Sequence, residues 1–155
     1  MKIRILLADD ASFIRDLIKR TLRKFLPQAE IFEASDGRKA QSFLNRQPID
    51  LVLSDWEMPE ISGEELLQWV RSKENLADIP FIMITSLGGK DNILRAVEAG
   101  VSDYLGKPFT AEELMQKVHK ALVKSGKIEP VRQESNSRTG PFSSLEILSG
   151  KPDPS

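Results

Sequence analysis

Five times along its length the chain repeats one unit, a short apolar, partly β-branched run followed by a stretch with helical spacing. The runs fall at residues 3–8, 29–34, 51–54, 81–85 and 101–105. Strand then helix, repeated, leaves parallel strands joined by right-handed crossovers, with helices on both faces. The expected fold class is therefore α/β, a doubly wound five-stranded parallel sheet. A chain of 155 residues buries enough surface to hold such a fold without a disulfide or a structural metal.

The helical stretches carry their own punctuation. In the first, Ser12 is placed to cap, Phe13 and Leu17 recur at i, i+4 as do Ile14, Ile18 and Leu22, and Pro27 marks the stop. Asp36-Gly37 opens the second, with Ala40, Phe43 and Leu44 facing inward and an end before Pro48. The third and fifth have capping boxes, Ser62 with Glu65 and Thr110 with Glu113, in which hydroxyl and carboxylate satisfy each other's orphan backbone donors. The fourth is expected over residues 91–99 with Gly100 in the left-handed stop position. The fifth places Leu114, Val118, Ala121 and Leu122 on one face.

Composition narrows the chemistry. There is no cysteine, which excludes disulfides, thiolate zinc sites and cysteine nucleophiles and suits a reducing compartment. His119 is the only histidine. With 22 Lys plus Arg against 23 Asp plus Glu, the net charge of −1 offers no basis for direct nucleic-acid or acidic-membrane binding. The first apolar run is too short to span a membrane and ends in Asp9-Asp10 rather than a small-residue cleavage site, so a cytoplasmic protein without membrane insertion is expected.

Two segments are expected, a folded domain over residues 1–126 and a flexible tail or linker over 127–155. The latter holds six Ser, four Pro and two Gly in 29 positions, and its four basic and four acidic residues cancel. Within it, residues 141–148 are more apolar, which fits either a weakly clustering linker or a docking peptide.

In open parallel sheets the ligand site lies beyond the carboxyl ends of the strands, where the strand order reverses. Here those ends carry Asp9-Asp10, Asp55, Thr85-Ser86 and Lys107-Pro108. Singly, each has an ordinary structural explanation. Jointly they do not, because two carboxylates about 5 Å apart repel by roughly 3 kcal/mol at an effective dielectric near 20. Three in one crevice call for a counter-cation, and an all-oxygen donor set suits Mg²⁺. A divalent cation beside a carboxylate nucleophile, a hydroxyl and a lysine is equipped for phosphoryl transfer.

Residues 1 to about 124 closely resemble the receiver domain of two-component response regulators, above all the single-domain chemotaxis regulators. The resemblance rests on Asp9-Asp10, on Asp55-Trp56-Glu57-Met58-Pro59 with Gly63, on Thr85, and on Tyr104-Leu105-Gly106-Lys107-Pro108-Phe109-Thr110. It implies a flavodoxin-like strand order 2-1-3-4-5, with Asp55 as the phosphoacceptor. It implies Mg²⁺ held by Asp9, Asp10, Asp55 and the Glu57 backbone carbonyl, with Thr85 and Lys107 on the phosphoryl group. By the same resemblance Lys107-Pro108 is a cis peptide and Tyr104 a switch coupled to Thr85. The partner-binding face is formed by the fourth helix, fifth strand and fifth helix, carrying Ile93, Val97, Tyr104, Lys117 and Lys120. The phosphoryl donor is a histidine kinase or phosphotransfer protein, and the output is a protein contact on that face or a further domain beyond Ser155.

Two positions depart from the chemotaxis type. Glu57 is acidic where an amide is usual, and Leu87 is apolar where a polar residue is common, which implies slow or partner-dependent loss of the phosphate. Other functions fit less well. A flavin or nucleotide binder on this fold would need a Ser/Thr/Gly-rich loop after the first strand, where Asp9-Asp10 presents negative charge instead. A Mg²⁺-dependent aspartate phosphatase would place Asp-x-Asp there. A histidine phosphotransfer role for His119 lacks the four-helix context.

Overall fold

The protein is described by a computed structural model covering residues 2–130. Ten elements alternate without exception: β1 (Arg4–Ala8), α1 (Ser12–Phe25), β2 (Glu30–Ala34), α2 (Gly37–Arg46), β3 (Leu51–Ser54), α3 (Gly63–Ser72), β4 (Phe81–Thr85), α4 (Lys90–Glu98), β5 (Asp103–Gly106) and α5 (Ala111–Lys124). All pairings are parallel, in the order β2-β1-β3-β4-β5.

The apolar runs sort their side chains by the two-residue period of a strand. Ile5 and Leu7 of β1, Leu51 and Leu53 of β3, and Ile82 and Ile84 of β4 join Ile18 and Leu22 of α1 and Leu114, Val118 and Leu122 of α5 in one core. Leu6, Ala8, Val52, Phe81 and Met83 point the other way and meet α2, α3 and Ala96 of α4. Both faces of the central strands are thus covered, which explains why their sequences show continuous apolar runs.

Both capping boxes form, at Ser62 with Glu65 and at Thr110 with Glu113, and the Asp36 carboxylate caps α2 on the Lys39 N–H. Gly100, at φ 94°, ends α4: its N–H donates to the Val97 carbonyl and that of Val101 to Ala96, which ties up two carbonyls left open by the helix end.

Two details differ from the sequence expectation, the start of α1 and the start of β5. Ser12 is the first helical residue of α1, and the cap position falls to Ala11 without a side-chain bond. The Asp9 carboxylate instead accepts from the Ala11 N–H at 2.9 Å, so the acid shapes the entry into the helix. Phe13 and Leu17 lie on the outer face, 70% and 42% exposed, because the Ile14, Ile18, Leu22 stripe one residue along takes the core. The fifth strand begins at Asp103 rather than at residue 101, since Val101 closes the end of α4 and the Ser102 hydroxyl accepts from the Phe81 N–H.

After α5, Lys127 pairs with Asp50 at 3.1 Å and Ile128 packs on the α1/α5 core. The expected tail from residue 131 onward, including the apolar residues 141–148, lies outside the described residues. Among the described residues no helix is long and apolar enough to cross a membrane.

Candidate functional site

Strand register assembles the site. Ala8 pairs with Ser54, so the next residues, Asp9 and Asp55, emerge side by side at the switch point between β1 and β3. Thr85 pairs with Gly106, which brings Lys107 to the same edge, and the Lys107 N–H donates to the Thr85 carbonyl at 3.0 Å. The Lys107-Pro108 peptide is cis, as expected. The buried polar side chains among the described residues are Asp9, Ser54 and Thr85, and each stands at the carboxyl end of its strand.

Carboxylate oxygens of Asp9, Asp10 and Asp55 all lie within 4.8 Å of one another. Asp9 is 2% exposed and the Asp55 side chain 12%, while Asp10 faces solvent. The Lys107 ammonium is 2.9 Å from Asp9 Oδ2 and 3.5 Å from Asp55 Oδ2. One cation thus faces two largely buried carboxylates, with the exposed Asp10 beside them, a donor set that fits a hard, oxygen-seeking divalent ion.

Burial pushes the Asp55 carboxyl above its ordinary range; Asp9 pushes the same way, while Lys107, the Trp56 N–H at 2.8 Å and the Thr85 hydroxyl pull it back. The folded protein therefore keeps the Asp55 proton to higher pH than the unfolded chain does. Between the two values unfolding releases a proton, so metal-free stability declines as pH rises from the ordinary carboxylate value through the raised one. Asp55→Asn is accordingly expected to unfold later than the wild type at pH 7 in a chelator. That gap should close in acid, where Asp55 is protonated in both states; thermal melts at the two pH values check it, and a pH-independent gap would contradict it.

From these groups a series of hydrogen bonds runs into the β4–α4 loop. Thr85 Oγ1 accepts from the Leu87 N–H at 3.2 Å, and the Leu87 carbonyl accepts from the Tyr104 hydroxyl. Tyr104 is half-buried against the α2–α4 side of the core. Glu57 is exposed beside the site. Of the residues expected on the partner face, Ile93 and Val97 stand 42% and 59% exposed on α4, joined by Leu94. Lys117 is engaged by Asp103 at 2.9 Å, and Lys120, exposed on α5, borders a cavity of about 630 Å³ at the far end of β4 and β5.

Sequence reasoning missed three supports. The Ser54 hydroxyl donates to the Asp55 carbonyl at 2.8 Å. Arg15 donates to the Asp9 carbonyl at 2.6 Å and to Glu33 at 3.1 Å, fastening the acid pair to β2. Lys19 joins Glu33 at 2.7 Å, and with Arg15 holds that carboxyl below its usual range. An arginine at the start of the helix that follows an acid pair is the signal that could have been used. The third is a glycine clamp. A Cβ on Gly63 would lie 2.0 Å from the Asp55 carbonyl oxygen, and one on Gly37 would lie 2.2 Å from that of Ile61, so the β3–α3 segment is pinched between the starts of α2 and α3.

The profile of the response regulator receiver domain matches residues 5–119. The chain belongs to that family. Receiver domains are the phosphorylation-activated switches of two-component systems, and this chain is such a switch. It is 38% identical over 120 residues to a chemotaxis protein CheY homolog of Campylobacter jejuni, covering 77% of this chain and 92% of the relative. It is 40% identical over 117 residues to the chemotaxis protein CheY of Pseudomonas aeruginosa, covering 76% and 94%. Among solved structures, the chemotaxis response regulator CheY4 of Vibrio cholerae superposes with a TM-score of 0.73 at 27% identity, over 79% of this receiver and 100% of that chain. The receiver domain of a Pseudomonas aeruginosa sensor histidine kinase, solved with a magnesium ion coordinated in its active-site cleft, superposes with a TM-score of 0.71 at 27% identity, over 79% and 98%.

Proposed function

We propose that this receiver takes a phosphoryl group on Asp55 from a phosphohistidine of a kinase or phosphotransfer protein, and that the modified domain then alters its contact with a downstream protein. The observation that carries the assignment is the convergence on one crevice of Asp9, Asp10, Asp55, Thr85 and Lys107, with Asp55 at its centre bonded to its own following amide and facing the lysine. A carboxylate oxygen of Asp55 attacks phosphorus, the donor's P–N bond breaks, and its electron pair stays on the imidazole nitrogen, which is protonated as it leaves. Lys107 and the Thr85 hydroxyl meet the transferred oxygens. Mg²⁺ held by Asp9, Asp10, Asp55 and the Glu57 backbone carbonyl would supply the remaining neutralisation of phosphoryl charge.

Readout follows from the bonds of Thr85. When its hydroxyl turns to the phosphoryl group it releases the Leu87 N–H, and the Leu87 carbonyl that holds Tyr104 shifts with it. A change of about −2 charge units at Asp55 is thereby converted into a rearrangement at Tyr104, which packs in the same core cluster as Ala96 of α4. We read the protein as cytoplasmic and of the chemotaxis type, its folded domain reaching at least to Ile128, which packs on the α1/α5 core.

Phosphoramidate or acetyl phosphate with Mg²⁺ is expected to add one phosphoryl group, seen as a change in Trp56 emission and as added mass in the wild type, and neither in Asp55→Asn. The same preparation tests Glu57, an exposed acid two residues after Asp55 whose negative charge would bear on the approach of a hydrolytic water. Glu57→Asn is expected to shorten the lifetime of the acyl phosphate, and an unchanged decay would remove Glu57 from the mechanism.

A further inference from the structure

Helix α4 is held to the domain by little. Ala96 is its one buried residue, Ile93, Leu94 and Val97 face outward, and its cap is Gly89, a residue with no side chain to bond the first turn. A Cβ on Gly88 or Gly89 would meet nothing within 4 Å, so the two residues before the helix stand in open space. Against this background one side chain stands out. The Arg95 guanidinium lies over the indole of Trp56, 5.7 Å from the ring centroid, and forks onto Glu64 of α3 at 2.5 and 3.3 Å. Trp56 is 6% exposed and follows Asp55 directly, and its N–H is the one that holds Asp55 Oδ1.

We infer that Arg95 is a positioning residue for the phosphoryl transfer: it reaches from α4 to clamp Trp56 and so fixes the amide that orients the Asp55 carboxylate. This inference rests on Asp55 being the phosphoacceptor. Arg95 touches neither donor nor reacting atoms, so its influence passes through the indole. Coupling of this kind is reciprocal: a partner that draws Arg95 away from Trp56 changes how readily Asp55 reacts, and modification of Asp55 changes how firmly α4 is held.

The test compares wild type, Arg95→Met and Arg95→Lys in single-exponential phosphorylation by phosphoramidate at saturating Mg²⁺, across donor concentrations. Arg95→Met keeps the aliphatic stem over the indole but removes the charge. It is expected to lower the limiting rate constant about two- to five-fold, the size of a cation–π contact at a partly exposed site, without changing the half-saturating donor concentration. Arg95→Lys, which keeps a cation above the ring, is expected to recover at least part of the rate. A wild type that reacts while Arg95→Met reacts equally fast overturns the inference alone, as does Arg95→Lys behaving like Arg95→Met. A wild type that takes up no phosphoryl group overturns the phosphoacceptor assignment and this inference with it.

Discussion

Gly63→Ala is expected to destabilise the domain by about 3 kcal/mol, the upper end of the usual cost of forcing extra atoms into a packed site. The reason is the identity of the neighbours. The added methyl would meet the Asp55 carbonyl oxygen at 2.0 Å and the Trp56 Cα at 2.9 Å, both backbone atoms that cannot swing aside. The Gly63 N–H also donates to the Trp56 carbonyl at 2.6 Å, so moving α3 away breaks that bond and disturbs the capping box at Ser62. Moving the other partner displaces the segment that carries Asp55. Either way the variant should lose reactivity toward phosphoramidate as well as stability. Gly88→Ala is the matched control, since nothing lies within 4 Å of its Cβ position; its effect should stay within about 0.5 kcal/mol. Urea unfolding followed by tryptophan fluorescence measures both, and equal midpoints for the two variants would contradict the clamp.

Lys107→Met separates three effects that a general loss of structure would move together. Without the ammonium, the Asp9 carboxylate, 2% exposed, faces Asp55 with no side-chain cation; breaking a buried pair from one side costs about 3–5 kcal/mol, so the metal-free domain should be strongly destabilised. The lysine and a divalent cation compete for the same oxygens, so Mg²⁺ should bind on the order of ten-fold more tightly to the variant and return much of its stability. The limiting rate of phosphorylation should nonetheless fall, by about 10²–10³-fold as for loss of one donor to a developing oxyanion. A variant that binds Mg²⁺ better and reacts worse is the expected signature. Weaker Mg²⁺ binding, measured by titration of tryptophan emission, would mean that Lys107 does not compete for the site.

Whatever the local chain determines is legible in the sequence. Strands buried on both faces must be apolar throughout, so β3 and β4 can be read to the residue, and the capping boxes and Gly100 announce their helix ends. Because a parallel sheet gathers its ligand residues at the carboxyl ends, Asp9, Asp10, Asp55, Thr85 and Lys107 are legible as one group. What escapes depends on contacts between distant segments. Nothing local says that Gly37 and Gly63 close on the β3–α3 segment, or that Arg95 covers Trp56. Competition between neighbouring stripes turns Phe13 and Leu17 of α1 to water, and the closure of α4 by Val101 displaces the start of β5.

The decisive measurement is the position of the phosphoryl group after reaction of the full chain with phosphoramidate and Mg²⁺. Borohydride reduction of the acyl phosphate converts the modified aspartate to homoserine, and peptide mass analysis then locates it. The expected result is reduction at Asp55 alone, dependent on Mg²⁺ and absent from Asp55→Asn. Modification at Asp9 or Asp10, or uptake that persists in Asp55→Asn, would contradict the assignment of Asp55 as the phosphoacceptor.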